Sequence, residues 1–122
     1  MVYFVGAGPG AADLITVRGM NLLKKADVII YAGSLVNPEL LNYAKNGVQI
    51  FNSAKMTLDE VLEVIFKAES EKKMTVRLHT GEPSIYGAVR EQMDALDEKK
   101  IRYESVPGVS AWLLSFLQEP VF

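Results

Sequence analysis

The sequence predicts an α/β domain built on a mostly parallel, five-stranded sheet with helices on both faces. Three observations predict it. Five short apolar-rich runs alternate strictly with segments of helical periodicity. The connections between them are short, so successive strands must be joined by βαβ crossovers. The segments that follow the strands carry glycine and hydroxyl side chains, whereas those that precede them read Lys-Ala-Asp, Asn-Gly, Glu-Lys-Lys-Met and Glu-Lys-Lys-Ile. One edge of the sheet is suited to close backbone approach and the other to solvation.

Val2 to Val5 reads as a fully buried strand feeding the glycine-rich turn Gly6-Ala7-Gly8-Pro9-Gly10. Leu14, Val17, Met20 (or Leu22) and Leu23 then recur at helical spacing, with Thr16 as N-cap and Lys24 and Lys25 suited to the last turn. A second strand lies within Ala26 to Tyr31, and Pro38 opens a short helix that stops near Asn46-Gly47. Val48 to Phe51 is the third strand. Thr57 and Glu60 have the spacing of a capping box, and Leu58, Val61, Leu62, Ile65 and Ala68 mark the inner face of the next helix. Glu63 and Lys67 are spaced for an exposed ion pair. Thr75 to His79 is the fourth strand. A helix from about Tyr86 to Lys99 follows, with Val89, Met93 and Leu96 inward, and Arg102 to Val106 is the fifth strand.

Composition narrows the chemistry. The 122 residues fit one domain, and a formal charge of −2 with scattered basic residues gives no footprint for nucleic acid. With no cysteine and a single histidine, thiolate chemistry is excluded and a protein-ligated metal is not expected. No apolar run is long enough for a bilayer and the N-terminus lacks a basic signal region, so a cytoplasmic protein away from membranes is expected.

Ligands of such sheets bind outside the carboxyl ends of the strands. Five segments fall there: Gly6–Gly10, Ala32–Val36, Asn52–Met56, Thr80–Tyr86 and Pro107–Ser110. In Thr80-Gly81-Glu82-Pro83-Ser84-Ile85-Tyr86-Gly87, Gly81 permits close approach of a ligand, Pro83 stiffens the loop and Ser84 can cap the next helix. The first segment also matches G-x-G-x-x-G/A, but Pro9 removes an amide and the second strand ends at Tyr31-Ala32 instead of at an acidic residue. Asp27 lies at the wrong end of that strand for a ribose. His79 reads as a structural histidine or a rim hydrogen-bonder, Lys55 as a surface lysine or a ligand-side cation, and Glu82 as a ligand acceptor or a cap for its own loop.

Val5-Gly6-Ala7-Gly8-Pro9-Gly10, followed by Asp13-Leu14-Ile15-Thr16-Val17-Arg18-Gly19, resembles the N-terminal signature of the tetrapyrrole methylases. The segment from Thr80 resembles that family's Gly-Asp-Pro loop, with Glu82 in the aspartate's place, and Val106-Pro107-Gly108-Val109-Ser110-Ala111 resembles its next motif. Tyr31–Val36 and Ser53–Thr57 are similar to the branch that methylates precorrin-4 or cobalt-precorrin-4 at carbon 11.

The resemblance implies S-adenosyl-L-methionine as methyl donor, a corrinoid tetrapyrrole as acceptor, and a homodimer of two-domain subunits with the cofactor between domains. It places cofactor contact on Pro9, Thr80, Gly81, Glu82, Ile85, Ser110 and Ala111. Gly8, Gly10, Ser34, Lys55 and Tyr86 become candidates for the tetrapyrrole, and Lys55 is also the catalytic candidate. The aspartate that relatives carry after the second strand is Ala32 here, so that role does not transfer. Arg18, Lys55 and Arg90 are candidate rim cations for an acceptor rich in carboxylates. The resemblance covers residues 2–111 and the family is about twice this length. Residues 1–111 are therefore expected to be the N-terminal methylase domain, with 112–122 an atypical tail and the second domain absent. The alternative is a non-catalytic α/β domain that binds a nucleotide or small molecule.

Overall fold

A computed structural model of the chain describes residues 1–8, 14–33, 36–79 and 86–108, excluding the side chains of 86–88. Five strands, β1 (Val2–Gly6), β2 (Val28–Tyr31), β3 (Gln49–Asn52), β4 (Thr75–His79) and β5 (Tyr103–Val106), form one sheet in the order β3-β2-β4-β1-β5. All four strand pairings are parallel. Three α-helices connect them: α1 (Val17–Lys25), α2 (Leu58–Ser70) and α3 (Tyr86–Glu98). Two 3₁₀ helices, Pro38–Tyr43 and Ser53–Lys55, complete the described elements.

The period-2 alternation of the strands feeds two cores, one on each face. Val5, Ile29, Val76, Leu78 and Val106 pack with Ile15, Leu23 and Leu40 beneath α1 and the first 3₁₀ helix. Val2, Phe4, Val28 and Ile30 pack with Val61, Ile65, Ala68, Val89 and Leu96 beneath α2 and α3. Both faces are covered, which explains why β1 and β2 read as continuous apolar runs. Phe4 meets the Tyr103 ring edge-on, with centroids 5.8 Å apart.

Local signals shape the helices. Thr16 caps α1 by accepting from the Gly19 amide at 3.1 Å. Val17, expected to face inward, is 71% exposed; Gly19 and Leu23 face the sheet instead. The reason is close packing: a Cβ on Gly19 would stand 3.0 Å from Val5 Cγ1, so the bare glycine row seats α1 on β1. The capping box of α2 is complete, with Thr57 N donating to Glu60 Oε1 and Glu60 N donating to the Thr57 hydroxyl. Leu58, the first residue after that cap, is 37% exposed and sits outside the inner row. Among the described residues the expected Glu63–Lys67 pair is not formed, and the i,i+4 ion pair found is Arg90–Asp94 on α3, at 3.2 Å.

The edge that precedes the strands is a structural edge. Both α2 and α3 end in Schellman motifs: Lys73 N donates to Ala68 O and Lys72 N to Glu69 O, and Ile101 N donates to Leu96 O and Lys100 N to Asp97 O. The left-handed residue in each is a lysine, Lys72 (φ 58) and Lys100 (φ 57). Asp27 receives Lys45 Nζ at 2.6 Å and the Met74 amide at 2.8 Å, which joins the starts of β2 and β4. The Lys45 hydrogen bond, then the Met74 amide, hold its carboxyl below the usual range.

Candidate ligand-binding edge

The strand order decides which of the sequence-predicted residues can act together. β4 and β1 are central neighbours and β5 flanks β1. The connection leaving β1 leads to α1 on one face, and that leaving β4 leads to α3 on the other. Neighbouring strands whose connections diverge leave a crevice at their carboxyl ends.

Three contacts shape these strand ends. The Ala7 amide donates to His79 O at 2.7 Å, extending the β1–β4 ladder past the end of β1. Gly6 and Gly108 approach so closely that a Cβ on Gly6 would lie 2.4 Å from the Gly108 nitrogen. Gly8 has φ +85, a left-handed conformation that favours glycine, and turns the chain beside Leu14. The ends of β4, β1 and β5 are thus joined through backbone with almost no side chain between them. His79 is buried, and its carbonyl holds the Ala7 amide.

A second group forms at the ends of β2 and β3. Gly33, at φ +61, faces Ala54, where an added Cβ would lie 2.6 Å from the Ala54 Cβ. Ser53 Oγ donates to Tyr31 O at 3.0 Å, and Asn52 Oδ1 accepts from the Ala54 amide at 3.0 Å. Lys55 closes this 3₁₀ turn and is exposed. Its strand is three positions from β1, so at the usual strand spacing Lys55 issues roughly 14 Å across the sheet from the glycine turn.

The predicted residues therefore divide in two. Pro9, Thr80, Gly81, Glu82, Ile85, Ser110 and Ala111 follow the contiguous strands β1, β4 and β5, as do Gly8, Gly10 and Tyr86. Ser34 and Lys55 follow β2 and β3. Of these, Gly8 and Lys55 are described in full and Tyr86 as the first residue of α3; the others lie outside the described residues, as do Ser84 and the segment 112–122. Of the three candidate rim cations, Arg18 is paired with Glu104 of β5 and Arg90 with Asp94. Lys55 makes no ion pair among the described residues. Among those residues no cluster of three His, Asp or Glu side chains could hold a metal, and no helix is long and apolar enough to cross a membrane.

Sequence reasoning missed Arg77 and Gln92. Arg77 lies in β4 on the α2–α3 face and is 5% exposed, and Gln92 of α3 is 3% exposed. Arg77 Nε donates to Gln92 Oε1 at 3.1 Å. The alternation Thr75-Val76-Arg77-Leu78-His79 resembles a strand with one wet face; a central position covered on both sides is what buries its polar half.

Comparison with known proteins agrees with this fold. The sequence profile of the tetrapyrrole (corrin/porphyrin) methylases matches residues 1–117. The chain is 54% identical over 110 residues to the cobalt-precorrin-4 C(11)-methyltransferase of Methanocaldococcus jannaschii, spanning 90% of this chain and 42% of that protein. A solved cobalt precorrin-4 methyltransferase, described as a cobalamin biosynthetic enzyme, superposes with a TM-score of 0.84 at 45% identity, covering 90% of this chain and 46% of its own. The uroporphyrin-III C-methyltransferase of Thermus thermophilus, solved with S-adenosylhomocysteine, gives 0.75 at 32% identity, covering 94% and 47%. The chain thus spans somewhat less than half the length of these relatives.

Proposed function

This chain belongs to the tetrapyrrole (corrin/porphyrin) methylases, and we propose that residues 1–111 form the N-terminal domain of an S-adenosylmethionine-dependent enzyme that methylates carbon 11 of precorrin-4 or cobalt-precorrin-4 in cobalamin synthesis. The observation that carries this reading is the contiguity of β4, β1 and β5. The segments that hold every proposed cofactor contact issue from three adjacent strand ends.

The described part of the edge suits such a ligand. Gly6 and Gly108 let the ends of β1 and β5 close backbone to backbone, and Gly8, at φ +85, turns the chain away from them. A sulfonium supplies an already activated methyl group, so the protein's task is in-line positioning more than proton chemistry. In this reading Pro9, Thr80-Gly81-Glu82 with Ile85, and Ser110-Ala111 hold the cofactor, while Gly8, Gly10 and Tyr86 border the tetrapyrrole. In this reading Ser34 and Lys55 meet its periphery, where the exposed ammonium of Lys55 can face a carboxylate. The enzyme is cytoplasmic and works as a homodimer in this reading. The alternative of a dinucleotide-binding domain is weakened by Asp27, which sits at the opposite edge and is held by Lys45 and the Met74 amide.

The experiment is methyl transfer from ¹³C-methyl-labelled S-adenosylmethionine to precorrin-4 and to cobalt-precorrin-4, using the protein encoded by the whole reading frame. A new methyl resonance at carbon 11 is expected. Methylation at another carbon, or turnover only with uroporphyrinogen III, would overturn the assignment.

A further inference from the structure

Arg77 is a buried cation with no ion pair among the described residues. Burial pushes its guanidinium pKa down to about 10, which still leaves it charged at neutral pH. Charge without a carboxylate in such a place is costly, and an apolar side chain of similar volume would fill the same space without that cost. The guanidinium instead reaches three acceptors on three elements. Nη1 donates to Ile30 O of β2 at 3.3 Å and to Leu78 O of β4 at 3.2 Å, and Nε donates to Gln92 of α3. The β2–β4 ladder ends at the Tyr31–Leu78 pair, so these carbonyls lie at the ligand edge. Segment 80–85 runs between the end of β4 and the start of α3, and Arg77 links the end of β4 to Gln92 at the middle of α3.

We infer that Arg77 is a positioning residue: its planar fork fixes α3 against the carboxyl ends of β2 and β4 and so sets the mouth of the edge where the ligand binds. The inference rests on the methylase reading for what that mouth holds, but not for the mechanical tie itself. Lysine could keep the charge and approach one or two carbonyls, yet it lacks the fork that spans all three acceptors.

Amide hydrogen exchange on the chain with Arg77→Met, Arg77→Lys and Gln92→Leu tests this, with thermal melts in parallel. In Arg77→Met the Ala7 amide, bonded to His79 O, and the amides of residues 89–92 should exchange about tenfold faster. Those of residues 93–98 and of Val28–Ile30 should change little, and Arg77→Lys should restore part of the protection at Ala7. If Arg77→Met does not fold, Gln92→Leu decides: protection should fall in residues 89–92 and hold in 93–98. A uniform acceleration across all elements, or unchanged exchange at Ala7 and 89–92, would overturn the positioning role. Failure of the folded wild-type enzyme to bind S-adenosylhomocysteine would count against the methylase reading alone and leave the exchange result standing.

Discussion

Gly6 and Gly108 meet backbone to backbone, closing the carboxyl ends of β1 and β5 against each other. A Cβ on Gly108 would lie 2.8 Å from Gly6 O, and one on Gly6 only 2.4 Å from Gly108 N. Both obstacles are main chain, which cannot rotate away. Gly6→Ala and Gly108→Ala should each therefore destabilise the fold by about 1–3 kcal/mol or more, as overpacked cores do. Urea denaturation checks this. A midpoint unchanged from wild type would mean that the two strand ends separate freely.

Thr75 is fully buried in β4, and its hydroxyl has no hydrogen-bond partner among the described residues. Thr75→Val keeps the shape and removes the unsatisfied group. It should stabilise the domain by about 1 kcal/mol, seen as a higher urea midpoint at constant m. A lower midpoint would show that the hydroxyl is engaged.

Lys72 and Lys100 hold the left-handed positions of the two Schellman motifs. That conformation costs an L-residue roughly 1–2 kcal/mol, and the extra unfolded-state freedom of glycine offsets about 0.4–1 kcal/mol. Lys72→Gly and Lys100→Gly should each gain about 0.5–1 kcal/mol in denaturant melts, since the strain outweighs the entropy. Gly47, with open space around its would-be Cβ, is a useful contrast. Its φ of +84 makes Gly47→Ala destabilising by strain alone.

Asp27 sets an acid limit on stability. Its carboxyl lies below the usual range chiefly through the Lys45 hydrogen bond and the Met74 amide. A depressed folded value means that the unfolded state binds the proton more readily. The stabilisation is thus fully present above the unfolded value near 3.8 and is lost as pH falls through the lower folded value. Asp27→Asn should flatten the fall in melting temperature below about pH 4. Because the pair is partly exposed, the effect should also shrink with added salt. Parallel acid curves for the two proteins would refute this role.

Much of the fold was legible because its signals are local. The Thr16 and Thr57 caps, the boundaries of β4 and the inner positions Val61, Leu62, Ile65, Ala68, Val89 and Leu96 follow from residues a few positions apart. The strand order β3-β2-β4-β1-β5 was not legible, because it depends on which buried strands pair across the chain. That order gives the site its organisation, grouping the segments after β1, β4 and β5 and setting Lys55 apart. Arg77 was missed for the same reason, since its burial follows from its neighbours in space. Val17 was misjudged because Gly19, with no side chain, sets how α1 rests on Val5. The carboxylate partners of Arg18 and Arg90, Glu104 on β5 and Asp94 one turn on, were not part of the sequence reading.

The central claim is that the ligand lies at the carboxyl ends of β4, β1 and β5. Titrating the ¹⁵N-labelled chain with S-adenosylhomocysteine, and separately with NADH, tests it most directly by amide shift changes, which report even millimolar affinity. S-adenosylhomocysteine should perturb Ala7, Gly8, His79 and Gly108 while leaving the Lys72 and Lys100 turns unmoved. Perturbation of the same amides by NADH but not by S-adenosylhomocysteine, or shifts confined to the Lys72 and Lys100 edge, would contradict it.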